Sequence, residues 1–320
     1  MKLTVLGCGR WGSFLASYHS MRNDVLLWGR KDSASFQVLK DNRKNKYLIL
    51  PENLILEDDL EKALNWSDTI IISISAQQLR SFAKQIDSFN VNHKTFILCM
   101  KGIEVETGKR LTQVMEEEIH QNIDTAVWVG PGHVQDFSAG IPNCMVVDSA
   151  NPKVTERITA SLSSDLIRLY QGEDIIGTEV GAAAKNVVGI AAGLLDGAGL
   201  TSLKGALMAR GAREVARLIH AMGGNELSAY GLCHLGDYEA TLFSAHSHNR
   251  MFGECFILGK PYGQLAEGAS TVKALIKLGE QYHVDLPICN VVNDVLYHGM
   301  TAEQAVNVLF SRSVKGEFTL

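Results

Sequence analysis

Six residues near the start of the chain constrain its fold more than any others. They are Gly7-Cys8-Gly9-Arg10-Trp11-Gly12, set directly after the apolar run 3–6 and before a helix-compatible stretch. A GxGxxG between a strand and a helix is the fingerprint of a dinucleotide-binding βαβ unit. Gly7 permits the tight turn, Gly9 lets the backbone approach a pyrophosphate, and Gly12 allows close helix–strand packing. The helix that follows offers unpaired N–H groups to the phosphates. Gly7, Gly9, Arg10, Trp11 and Gly12 are therefore candidate cofactor residues. The second apolar run ends at Trp28 and is followed by Gly29-Arg30-Lys31-Asp32. An acidic residue here binds the ribose of NAD, whereas a guanidinium beside an ammonium suits the 2′-phosphate of NADP. Arg30 and Lys31 favour NADP. NAD through Asp32, or a solvated turn without a ligand, are the alternatives.

The rest of the first half repeats the same alternation. Short apolar runs at 3–6, 25–28, 69–74, 95–100, 126–129, 144–147 and 166–170 are separated by amphipathic stretches such as 13–21 and 108–120. Continuous apolar runs of this length are strands covered on both faces, as in a parallel sheet. Past Tyr170 the pattern turns helical, over 179–195, 204–222, 270–282 and 302–309. The expected fold is α/β: an N-terminal Rossmann-type doubly wound parallel sheet over 1–176, followed by an all-helical C-terminal substrate-binding domain over 177–320. A length of 320 residues suits two cores.

Charge and composition exclude several classes. A net charge of −5 lacks the basic excess of a nucleic-acid binder. No uninterrupted run of about 18 apolar residues is present, so no membrane span is expected. The start lacks the features of a secretory signal. Six cysteines without a CxxC pair read as free thiols of a cytoplasmic protein. His133, His234, His246 and His248 are not spaced as metal ligands, and no metal is expected. Trp28, Trp66 and Trp128 read as packing residues. Arg210 and Arg213, with Glu214, read as an exposed helix face or a subunit contact.

The segment from Gly177 to Val188 is nearly all small and apolar, yet carries Lys185-Asn186 in its interior. A lysine among alanines is costly unless it is paired or functional. Beside a nicotinamide it could give a proton to a carbonyl oxygen. The alternative is an ammonium that snorkels to the surface.

Further motifs follow in order: Lys101-Gly102-Ile103, Gly130-Pro131, Glu179 with Lys185-Asn186, Leu235-Gly236-Asp237, Asn249-Arg250 before Phe252-Gly253, and Glu267-Gly268. Together with the fingerprint they make the chain resemble the NAD(P)-dependent glycerol-3-phosphate dehydrogenases over its whole length. The resemblance implies reversible reduction of dihydroxyacetone phosphate to sn-glycerol 3-phosphate for glycerophospholipid synthesis, in a homodimer. It implies Lys185 as proton donor, with Lys101 and Asp237 in the catalytic group. Substrate would be held by Lys101, Gly130, Gly132, Lys185, Asn186, Asp237, Thr241, Ser247, His248, Asn249 and Arg250. Lys101, Val134, His248 and Glu267 would join the cofactor residues.

Three positions depart from the family pattern. His248 stands where an arginine is usual, Gly132 where a serine is usual, and Arg10 where a small residue is commoner. An imidazole is a weaker, pH-dependent partner for phosphate than a guanidinium. A related dehydrogenase with another small hydroxy substrate therefore stays open, as does a cofactor-binding sensor without turnover.

Overall fold

A computed structural model describes residues 1–313, 316 and 317. Residues 314, 315 and 318–320, at the end of the expected second domain, lie outside the described residues. The chain divides into two compact units, Met1–Met100 with Leu111–Glu173, and Lys101–Arg110 with Asp174–Leu320.

The first unit is built on eight strands: β1 Lys2–Leu6, β2 Asp24–Trp28, β3 Ile55–Glu57, β4 Thr69–Ile72, β5 Thr95–Leu98, β6 Asp124–Val129, β7 Asn143–Asp148 and β8 Ile167–Gln171. Its helices are α1 Arg10–His19, α2 Ala34–Asn42, α3 Leu60–Trp66, α4 Leu79–Asp87, α5 Leu111–Glu118, α6 Val134–Ser138 and α7 Pro152–Leu162. The sheet runs β3-β2-β1-β4-β5-β6-β7-β8. β1 pairs in parallel with both β2 and β4, so the strand order reverses there, and the crevice beyond β1 and β4 is where such sheets take ligands. The expected parallel sheet needs one correction: β7 runs antiparallel to β6. Apolar runs carry no direction, so the reversal is invisible in the sequence. β3 was not expected either, being three residues long. Trp128 and Trp28 are buried in this unit's core, while Trp66 is half-buried.

The second unit is helical: α8 Ile175–Gly197, α9 Lys204–Ala221, α10 His248–Ile257, α11 Glu267–Gln281, α12 Pro287–Tyr297 and α13 Ala302–Phe310. The segment Lys101–Arg110, counted with the first part in the sequence, belongs here. An Ile103–Arg110 bridge folds it back on itself, and Arg110 pairs with Glu179 of α8. That return explains why α5 starts at Leu111 and not at Gly108, whose φ of 74° is left-handed. Among the described residues, α8 is the one helix long and apolar enough to cross a membrane by length and composition. Its apolar stretch is interrupted by Glu179 and Lys185, so the sequence shows no uninterrupted run. Its apolar window is 89 % buried, as a core helix is.

Glycines let α10 lie directly on α8. A β-carbon on Gly193 would stand 1.9 Å from the Arg250 carbonyl oxygen, and one on Gly253 would stand 2.3 Å from that of Ile190. Neither obstacle is a flexible side chain, so the helices must separate to admit a methyl group. Gly193→Ala is expected to lower unfolding free energy by about 1–3 kcal/mol. Urea denaturation monitored by circular dichroism checks this, and an unchanged midpoint would count against the packing described.

The α9 face also needs correction. Arg210 is exposed, but Arg213 and Glu214 are buried, at 8 % and 2 %. The Glu214 carboxylate accepts from the amides of Ile288 and Cys289 at 2.8 and 3.0 Å. It caps the start of α12, so its charge serves a helix end and not solvent.

Candidate active site

In the first unit the fingerprint folds as a cradle. Gly7 closes β1 with φ 115°, and its amide donates to the Trp28 carbonyl at 3.0 Å. A β-carbon there would meet the Ser73 carbonyl oxygen at 2.1 Å, and one on Gly12 would meet that of Gly7 at 2.0 Å. Those two glycines are demanded by the protein itself. Gly9 differs: a β-carbon on it would meet nothing within 4 Å. Gly9 also opens α1 without any side-chain cap, so its first amides face outward unsatisfied by a side chain. An open approach to uncapped helix amides fits a pyrophosphate.

Around this cradle, burial pushes the Cys8 thiol up, and the Ser33 and Ser35 hydroxyls pair with each other at 3.1 Å just past β2. Arg30 and Lys31 are exposed on the same turn, with the Arg30 guanidinium 3.9 Å from Asp32. Arg10 lies over the Tyr47 ring at 5.7 Å. Trp11 packs against Phe14 and Phe137, at centroid separations of 5.5 and 6.0 Å. Gly130 adopts φ 130° after β6, and Val134 starts α6 with its side chain in the core. A β-carbon on Gly132 would stand 2.8 Å from the Phe137 ring and 3.3 Å from that of Trp11. The aromatic cluster thus occupies the space a larger residue needs at 132.

In the second unit the lysines meet around one carboxylate. Asp237, on the turn Leu235–Asp237, is 1 % exposed. Its Oδ2 lies 2.6 Å from Lys101 Nζ and 3.0 Å from Lys185 Nζ. Lys185 also donates to Thr241 Oγ1 at 2.7 Å, and Thr241 sits 3.4 Å from Asp237 Oδ1. The ammonium therefore does not snorkel. It is buried in α8, and desolvation pushes its pKa from 10.5 down to about 8, with Asp237 pulling upward and Lys101 downward. A lysine so placed exchanges its proton near neutral pH.

Beside this cluster runs an amide relay. Asn186 donates to the Lys101 carbonyl at 2.9 Å, Asn249 donates to Asn186 Oδ1 at 3.0 Å, and the Gly268 amide donates to Asn249 Oδ1 at 2.9 Å. The relay fixes the Lys101 backbone to α8, α10 and the start of α11, where Glu267 lies. Ser247 caps α10, and His248 Nδ1 is 2.6 Å from the Tyr262 hydroxyl.

Comparison with known proteins decides the family. Two family models, the N-terminal and C-terminal parts of NAD-dependent glycerol-3-phosphate dehydrogenase, match residues 2–155 and 174–307. The chain is 33 % identical to glycerol-3-phosphate dehydrogenase [NAD(P)+] of Fusobacterium nucleatum, over 99 % of this chain and 98 % of that protein. It is 34 % identical to the Bacillus cereus protein of the same name, over 99 % and 97 %. The chain belongs to the NAD-dependent glycerol-3-phosphate dehydrogenase family. A crystal structure of the Coxiella burnetii glycerol-3-phosphate dehydrogenase superposes with a TM-score of 0.90 at 26 % identity, covering 97 % of this chain and 99 % of that one.

As a dehydrogenase of this family, the chain uses NAD or NADP. Arg250 lies outside the lysine cluster. Arg250 gives its guanidinium to Asp196 and Glu254, both at 2.8 Å, and to the Ser244 carbonyl. Asp196 lies three turns beyond Lys185 on α8, roughly 16 Å along the axis. Arg250 thus ties α10 to α8 and to the segment before it. Sequence reading placed Glu214 on an exposed face or a subunit contact and weighed His234 only as a metal ligand, because the Glu214 partners and Gly181 are far away in the chain.

Proposed function

We propose that this dehydrogenase reversibly reduces dihydroxyacetone phosphate to sn-glycerol 3-phosphate, with Lys185 as the proton donor. The observation that carries the reading is the buried Lys185–Asp237–Lys101 cluster, held with one lysine near its titration point. Gly7, Gly9 and Gly12 would hold the cofactor by its pyrophosphate, and its nicotinamide would supply the hydride when bound. Lys185 has three N–H donors; Thr241 and Asp237 take two, and the third goes to the substrate oxygen. The ammonium first stabilises negative charge growing on that oxygen and then yields its proton. Lys101, the other cation on Asp237, steers the anionic substrate, with Asn186 and Asn249 offering their second N–H groups and Ser247 and His248 nearby on α10. Gly130 and Gly132 present backbone amides in place of the side chain usual at 132. Glu267 and Val134 complete the cofactor contacts.

The family likeness supports the finer readings too: a cytoplasmic homodimer whose product enters glycerophospholipid synthesis. Absorbance of the reduced cofactor, followed with dihydroxyacetone phosphate and with unphosphorylated dihydroxyacetone, tests the function. Oxidation dependent on the phosphorylated ketone is expected; equal rates with both ketones, or none with either, contradict the assignment.

Arg30 and Lys31 support NADP as the preferred cofactor. Arg30→Ala is expected to weaken NADPH, and not NADH, by about 1.5–3 kcal/mol if the guanidinium binds the 2′-phosphate. Titration of both cofactors against intrinsic fluorescence measures this. Equal losses for the two would remove Arg30 from that role.

A further inference from the structure

His234 and Tyr238 form a pair that the reaction described above does not use. Both are at 0 % exposure. The imidazole has two partners: Nδ1 lies 2.8 Å from the Gly181 carbonyl oxygen, and Nε2 lies 2.6 Å from the Tyr238 hydroxyl. A carbonyl only accepts, so Nδ1 carries the proton and Nε2 accepts from the phenol. The ring is neutral. Burial pushes its pKa down to about 4, against the opposing pull of the Gly181 carbonyl and Asp237. Burial pushes the Tyr238 phenol upward, so it remains a donor.

Gly181 lies one helical turn before Lys185. Its carbonyl is the one that an α-helix pairs with the Lys185 amide. The approach is close: a β-carbon on Gly181 would stand 3.0 Å from Cys233 Sγ and 3.1 Å from His234 Cβ. The carbonyl of His234, in turn, accepts from the Asp237 amide at 3.0 Å. One residue therefore joins the helical turn bearing Lys185 to the turn bearing Asp237.

We propose that His234, oriented by Tyr238, is a positioning residue for proton transfer, fixing the Asp237 carboxylate against the Lys185 ammonium. The proposal rests on Lys185 being the proton donor. The charged groups at Lys185 are Asp237 from the 235–237 turn and Lys101 from the 101–110 segment, with the Thr241 hydroxyl as a neutral neighbour. Loosening Asp237 leaves Lys101 as the nearer influence, so the lysine gives up its proton at lower pH.

The test compares His234→Leu, His234→Asn and Tyr238→Phe in the full-length enzyme. Leucine removes both bonds, asparagine returns an N–H close to the place of Nδ1, and phenylalanine removes a single oxygen. Steady-state kinetics with dihydroxyacetone phosphate and NADPH give kcat and KM. Acylation of Lys185 by acetic anhydride as a function of pH, read by mass spectrometry, gives its titration midpoint without needing turnover. In His234→Leu, kcat is expected to fall about tenfold or more, the scale of a small misplacement of catalytic groups. KM should change less than about twofold, as when an interaction specific to the transition state is lost. The Lys185 midpoint should move down by roughly one pH unit. Tyr238→Phe should move both readouts in the same direction by less, and His234→Asn should recover most of kcat. A purely structural role would lower melting temperature and the folded fraction in all three. If kcat per folded molecule and the Lys185 midpoint match wild type in His234→Leu and in Tyr238→Phe, the proposal is overturned. Full turnover in Lys185→Ala would instead sink the proton-donor reading, and the acylation midpoints separate the two failures.

Discussion

Lys185→Ala lowers kcat for ketone reduction by about two orders of magnitude or more, the scale of general acid catalysis. Electrostatic support for the growing oxyanion disappears with the same ammonium, so the loss is expected toward the upper end. Cofactor affinity changes little, because the glycines of the cradle belong to the other unit. Methylamine added to the variant should restore part of the rate if the missing group is an acid. Stopped-flow measurement of a single turnover checks that the loss sits on the chemical step. Near-normal turnover would remove the mechanism.

Asp237→Asn affects stability and catalysis together. The carboxylate is the one acid between two ammoniums, at 2.6 and 3.0 Å. Breaking a buried ion pair from one side leaves uncompensated charge and costs about 3–5 kcal/mol. Part of that is relieved because Lys185 can lose its proton. Without the upward pull of Asp237, the lysine's pKa falls below its present value of about 8. The sign for catalysis is then fixed. Reduction needs the protonated lysine, so its rate at pH 7–8 collapses and recovers in part at lower pH. Oxidation of the alcohol needs the neutral lysine and suffers less. Chemical denaturation gives the first effect, and rates in both directions across pH give the second. Equal losses in the two directions at every pH would show that Asp237 does not act through the charge of Lys185.

Much of the site was legible because its signals are local. The fingerprint needs only a strand, three glycines and a helix in sequence, and it folds as those residues require. Lys185 was visible because an ammonium within a run of alanines is chemically anomalous. What it pairs with was not visible: Lys101, Asp237 and Thr241 reach it across 84, 52 and 56 positions of chain, and only the family pattern pointed to them. Arg250 has partners that its place beside Asn249 did not reveal: Glu254 at i,i+4 and Asp196 on α8.

In the fold, strands with long apolar runs were legible, whereas β3 and the direction of β7 were not. The first is too short to show a period, and the second depends on the connection between strands. Arg213 and Glu214 looked like a solvated face because charges on a helix usually are; the amides of Ile288 and Cys289 that Glu214 caps lie on another helix. The His234 and Tyr238 pair left no signal in sequence beyond its i,i+4 spacing.

The most direct test of the central claim is the pH dependence of kcat/KM for dihydroxyacetone phosphate reduction, in wild type and Lys185→Ala. In the wild type the rate should fall above about pH 8, as Lys185 loses the proton it must donate. In Lys185→Ala that alkaline limb should vanish, leaving a low rate set by other groups. A limb of the same midpoint in both proteins would assign the titration to a different residue and contradict the account.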